Sequence, residues 1–237
     1  MKFLSPKNTL FLINKAKIWL FILMCASFLY GTYLAIFASP PDYQQGETVR
    51  IMYVHVPAAW MSLIIYSIMA LSSAGFVIWV SPIANEIAKC SSYIGATFAF
   101  IALVTGSLWG KPMWGTWWVW DARLTSMAIL FFFYVGYILL INSVTDNSSK
   151  APAFLAILGF INVPIVKFSV DIWNSLHQPA SIIKLKGPSI HSSMLKPLLV
   201  MILASFIYYF WILAIKLKTS IIEHKCERIQ NRLINKG

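Results

Sequence analysis

Two histidines and a run of tryptophans are the residues of this chain whose types and spacing could do chemistry together. His55 lies in RIMYVHVPAAW and His177 in DIWNSLHQPAS. Between them runs WGKPMWGTWWVWDARLT, residues 109–125. It holds Trp109, Trp114, Trp117, Trp118 and Trp120, half of the chain's ten tryptophans, followed by Asp121 and Arg123. An imidazole with an ordinary pKa near ~6.5 keeps a neutral ligating nitrogen at neutral pH. Two imidazoles beside flat aromatic walls suit an iron porphyrin, whose metal takes axial histidines and whose ring is a broad apolar plate. Its propionates are anions that Arg50, Lys111, Arg123, Lys184 and Lys186 could pair with. A bare zinc or copper centre fits poorly, because two histidines with no nearby cysteine and few carboxylates make an incomplete cage.

The tryptophans have a plainer account too. Trp is enriched at both membrane interfaces, as an aromatic belt. A belt explains one or two rings per helix end, and less easily five within twelve residues beside Gly110, Pro112 and Gly115. Each ring can bury about 150–250 Å², several kcal/mol at about 25 cal/mol/Å². The rings therefore need headgroups, one another or a flat apolar ligand. In helical register Trp114, Trp117 and Trp118 share a face, and Pro112 and Gly115 point to a short interfacial helix. Asp121 suits an N-cap for the apolar run that follows. Arg123 suits an anchor that snorkels to the headgroups. Both roles are compatible with contact to a ligand.

The elements that must bring these residues together are transmembrane. The chain has 237 residues, 59% hydrophobic and 11% charged, where a soluble domain carries about 25% charged. Six apolar segments emerge, at about 18–38, 54–80, 88–109, 123–142, 151–170 and 195–215, each near the ~20 residues a spanning helix needs. The expectation is an all-α integral membrane protein with one membrane domain over 1–237. The first segment reads as retained, since Ser39-Pro40-Pro41 ends it without a small-residue cleavage pattern. Lys2, Lys7, Lys15 and Lys17 precede it, and Lys216, Lys218, Lys225, Arg228, Arg232 and Lys236 fill the end of the chain. Both termini then face the cytoplasm, with 216–237 a basic cytoplasmic tail. An even number of crossings follows, in agreement with six.

That topology puts residues 39–53, 110–122 and 171–194 on the outer side, and with them both histidines and the tryptophans. Lys184, Lys186 and Lys196 run against the charge rule, but the terminal clusters are larger. The net charge of +11 reflects topology and anionic lipid, not nucleic acid. Cys25, Cys90 and Cys226 form no CxxCH, so the chain does not attach haem to itself. No GxxxxGK[ST] occurs, so any ATP hydrolysis belongs to another chain.

WGKPMWGTWWVWDARLTS resembles the tryptophan-rich WWD signature of haem-handling membrane proteins. MYVHVPAAW and WNSLHQPAS resemble the two histidine-bearing outer segments of the same group. Over roughly Ile18 to Leu217, the length and six spans are similar to the CcmC family of cytochrome c maturation. The resemblance implies a haem-binding and transfer protein of the bacterial inner membrane, more than a turnover enzyme. Haem b would be held at the periplasmic face, as cargo as much as cofactor. Its axial ligands would be His55 and His177, and its platform Trp109, Trp114, Trp117, Trp118, Trp120 and Asp121. The implied partners are the membrane-anchored haem chaperone CcmE, the ABC-transporter components CcmA and CcmB, and CcmD. One departure is Ile172 beside Trp173, where the family often has a second aromatic. Two rival readings stand beside this one: a subunit that moves haem through the bilayer, and a b-type cytochrome subunit. Against the first, the span interiors carry almost no ionisable residues, although Lys167 lies near the end of the fifth. Against the second, no histidine occurs at the inner ends of spans two to five.

Overall fold

The computed structural model describes residues 5–144, 149–173, 175–178, 182 and 187–234. Helix α1, Pro6–Tyr33, starts on a proline whose missing N–H costs nothing there. Ser5 caps it by accepting from the Asn8 N–H at 3.3 Å. A π-helical turn, Leu34–Ala38, carries α1 to Ser39. A 3₁₀ turn, Glu47–Ile51, leads into α2, Met52–Trp79. Helix α3, Pro82–Trp114, begins with the same serine–proline device, at Ser81 and Pro82. It ends at Gly115, whose φ of 76° is the left-handed conformation that glycine adopts without a Cβ penalty. Asp121 caps α4, Ala122–Ser143, by accepting from the Leu124 N–H at 2.8 Å. Helices α5, Ala151–Gly159, and α6, Asn162–Ile172, together make the fifth span, and α7 runs Ser192–Ile234.

Among the described residues, six spans are long and apolar enough to cross a membrane. They overlay the six apolar segments of the sequence and overrun most of them. The fifth is broken at Phe160–Ile161, because Pro164 has no N–H to return to the Phe160 carbonyl. Just past the break, Asn162 donates from Nδ2 to the Ser126 carbonyl on α4 at 2.8 Å. Where the sequence points to a short separate helix among the tryptophans, α3 itself continues through Pro112 to Trp114, and residues 115–121 form turns and extended chain. Helix α7 continues through the basic tail to Ile234.

Helix α2 lies along α3 at the centre, with α4 and the broken fifth span on one side and α7 on the other. The core around α2 is built on Met61, Ile65, Tyr66, Met69, Leu130 and Tyr134, all fully buried. Tyr134 donates from its hydroxyl to the Ser62 carbonyl at 2.7 Å. It fits because residue 95 is glycine: a Cβ there would sit 2.2 Å from the Tyr134 oxygen. Helix α1 packs along α7, and only 11% of its apolar stretch is buried. Phe11, Trp19, Leu23 and Leu29 are left facing outward, as lipid-facing side chains are. The outcome for the site is that residues 39–55, 106–123, 169–173 and 175–178 meet at one end of the bundle, while the tail of α7 meets α3 at the other.

Candidate functional site

His55 stands in the first turn of α2 and is braced by α3. Its Nδ1 lies 3.0 Å from the Ala102 carbonyl and 3.2 Å from Thr105 Oγ1. The tautomer that donates from Nδ1 to that carbonyl leaves Nε2 free as a ligand. The approach is close because residue 106 is glycine, where a Cβ would fall 2.9 Å from His55 Cε1. One turn further along α3, the Trp109 ring sits edge-on to the imidazole with centroids 5.7 Å apart. Trp109 is held from its other side, where its Nε1 donates to Gln45 Oε1 at 2.8 Å.

His177 lies in irregular chain beyond α6. Its Nδ1 is 3.0 Å from the Gln178 carbonyl, which again leaves Nε2 free. Its backbone N–H donates to Ser175 Oγ at 3.0 Å, and the Ser175 hydroxyl is bonded to the second carboxylate oxygen of Asp121. Burial pushes the His177 imidazole below its ordinary pKa; the Gln178 carbonyl opposes this, the Arg123 guanidinium adds to it and Asp121 opposes it. The neutral, ligating form is the one favoured.

The two imidazoles lie close together, with ring centroids 6.5 Å apart and planes at 38°. Two imidazoles that bind one metal atom, each through a nitrogen at about 2 Å, have ring centres about 6 Å apart. The structure brings the two histidines close to that separation. Trp114 lies 6.4 Å from His177, so Trp109 and Trp114 each adjoin one imidazole. The other three tryptophans make their ring contacts with one another and with Lys111. Trp118 and Trp120 pack edge-on at 5.5 Å, and Lys111 lies over the Trp117 ring at 5.8 Å. Trp117 and Trp120 are 54% and 81% exposed, so they form an open rim, not a wall. The Trp118 Nε1 is buried and has no hydrogen-bond partner among the described residues. A buried donor left unpaired costs about 1–3 kcal/mol, and an acidic ligand group would remove that cost.

The basic candidates divide. Arg123 links α4 to the fifth span, with Nε donating to Ser169 Oγ at 3.2 Å and Nη2 to the Lys167 carbonyl at 3.1 Å. Its position beside His177 leaves it suited to an anion there. Arg50 is occupied elsewhere. It pairs with Glu47 at 2.5 Å, and it donates to the Ala35 and Ser39 carbonyls at the π-helical end of α1. Lys111 Nζ donates to the Gly115 carbonyl at 2.9 Å, closing the end of α3. Lys184 and Lys186 lie outside the described residues. Asp121 proves to be both a cap and a support for the His177 segment. Three contributors escape sequence reasoning. Gln45 and Ser175 are ordinary loop polar residues with no motif around them. Gly106 had a signal, since a glycine inside an apolar helix marks a close approach.

Sequence comparisons identify the family of the chain. The family described as CcmC, Heme exporter protein C, matches residues 1–232. Heme exporter protein C of Bradyrhizobium diazoefficiens is 44% identical over 228 residues, 95% of this chain and 86% of the relative. A Marchantia polymorpha protein described as a putative cytochrome c biosynthesis ccmC-like mitochondrial protein is 48% identical over 202 residues, 79% of this chain and 86% of the relative. Heme exporter protein C of Haemophilus influenzae is 44% identical over 192 residues, 80% of this chain and 78% of the relative. A six-span bundle with paired imidazoles at one end, matched nearly from end to end at such identities, belongs to the Heme exporter protein C family.

Proposed function

We propose that this protein binds haem b at the periplasmic face of the bacterial inner membrane and hands it to a CcmE-type chaperone for c-type cytochrome biogenesis, in association with CcmA, CcmB and CcmD. The observation that carries the reading is the pair of imidazoles, 6.5 Å apart, each flanked by a tryptophan. The relatives' names, heme exporter and cytochrome c biosynthesis protein, support haem as the cargo. The basic termini support the orientation.

In this reading haem is substrate. His55 and His177 supply neutral Nε2 atoms to the iron, and Trp109 and Trp114 present apolar rings at the edges of the plate. Arg123 and the unpaired Trp118 Nε1 are donors for carboxylates, with no competing bond to break at Trp118. Trp117 and Trp120, exposed at the rim, leave one side of the site open for a partner to take the cargo. His224, at the other end of the bundle, faces Glu86 and Glu227. That setting supports a site on one face over a b-type carrier with haems toward both leaflets. The test is transfer. The purified protein loaded with haem in mild detergent is mixed with the soluble domain of a CcmE-type chaperone. Movement of the haem absorbance onto the chaperone supports delivery. Haem that stays bound and merely cycles between oxidation states supports an electron carrier instead.

A further inference from the structure

Asp121 works on two segments at once. One carboxylate oxygen caps α4 through the Leu124 N–H at 2.8 Å. The other accepts the Ser175 hydroxyl, and Ser175 Oγ accepts the His177 N–H at 3.0 Å. His177 has no helix ladder around it, because α6 ends at Ile172. Irregular chain keeps one conformation only where side chains satisfy its backbone groups. Here a single hydroxyl does this by donating and accepting together, which serine and threonine can do and alanine cannot. Its acceptor is a carboxylate, the stronger class of partner.

We propose that Ser175 is the positioning residue for His177, and that the Asp121–Ser175–His177 strut ties the tryptophan loop to this one haem ligand. The proposal rests on His177 being a ligand. Ser175 acts on haem only through the histidine, by holding its backbone so that the ring sits opposite His55.

The experiment uses the full chain in detergent, loaded with haem. It reads two quantities: the low-spin bis-histidine fraction by optical and electron paramagnetic resonance spectra, and the rate of haem loss to excess apomyoglobin. Ser175→Ala is expected to lose haem about tenfold faster, the size of one hydrogen bond to a charged partner, and to show a mixed-spin spectrum. Ser175→Thr restores both. Asp121→Asn keeps the cap, since Asn and Asp are equivalent there, but puts an amide where the hydroxyl needs an acceptor. It shifts both readouts in the same direction by less. Ser175→Ala added to His177→Ala changes nothing further, because the strut has lost its object. A Ser175→Ala protein that matches the unaltered chain while His177→Ala loses haem overturns the proposal, as does a tenfold loss that persists in the double variant. A His177→Ala protein that keeps its bis-histidine spectrum removes the ligand reading itself, whatever Ser175 does.

Discussion

His55 and His177 sit 6.5 Å apart and are held in opposite ways. His55 is part of a helix, and a second helix braces it through Ala102, Thr105 and the gap left by Gly106. His177 hangs on irregular chain, secured by Ser175, Gln178 and, at one remove, Asp121. Moving His55 means disturbing the α2–α3 contact at the centre of the bundle. Moving His177 means breaking a few hydrogen bonds at its edge. On the proposed function, a carrier that releases its cargo would gain from this inequality, with one ligand keeping the iron in place while the other lets go.

The sharpest way to break the comparison is to spoil the rigid side. Gly106→Val puts branched carbon where even a Cβ comes within 2.9 Å of His55. It is expected to abolish bis-histidine binding as fully as His55→Ala, with helix content by circular dichroism unchanged. A normal haem spectrum in this variant would show that the α3 brace is not what sets His55.

A smaller effect comes from acid. Burial holds the His177 imidazole below its ordinary range, so its neutral form survives where an exposed histidine, with a pKa near ~6.5, is already half charged. Haem retention is therefore expected to fall with a midpoint below that of an exposed histidine, as the pH drops through the lowered folded value. Titrating the Soret band checks this, and a midpoint at or above ~6.5 would contradict it. The unfolded chain takes up this proton first, so the group destabilises the fold progressively below pH ~6.5.

The smallest effect separates support from fold. Asp121→Ala removes the α4 cap as well as the strut and is expected to cost about 1 kcal/mol of stability, whereas Asp121→Asn costs almost none. Thermal unfolding of the two variants in one detergent makes the comparison.

Much of this was legible in the residues. Run length and the missing charges marked the six spans, and the lysine clusters at both ends agreed with an even number. The histidines and tryptophans could be assigned to one end from topology alone. What stayed hidden depends on long-range contact. Trp109 adjoins His55 through the crossing of α2 and α3, and no local pattern encodes which tryptophans face inward. Five tryptophans read as one platform, yet Trp117 and Trp120 lie at the exposed rim. Arg50 carried the right charge for a propionate, but the π-helical turn leaves it carbonyls to satisfy. Ser175 looked like any loop serine until Asp121, 54 residues earlier, was placed beside it. Proline and glycine signals misled in one place, since a helix runs through Pro112 and only Gly115 stops it.

The central claim is that one iron atom is shared by these two side chains. Electron paramagnetic resonance of the purified, haem-loaded protein tests it directly, alongside His55→Ala and His177→Ala. The account predicts a low-spin ferric signal of two imidazoles in the unaltered protein, and its replacement by high-spin signal in each variant. In His177→Ala, added imidazole restores the low-spin form, because the open edge admits it. A low-spin signal that survives both substitutions would contradict the account.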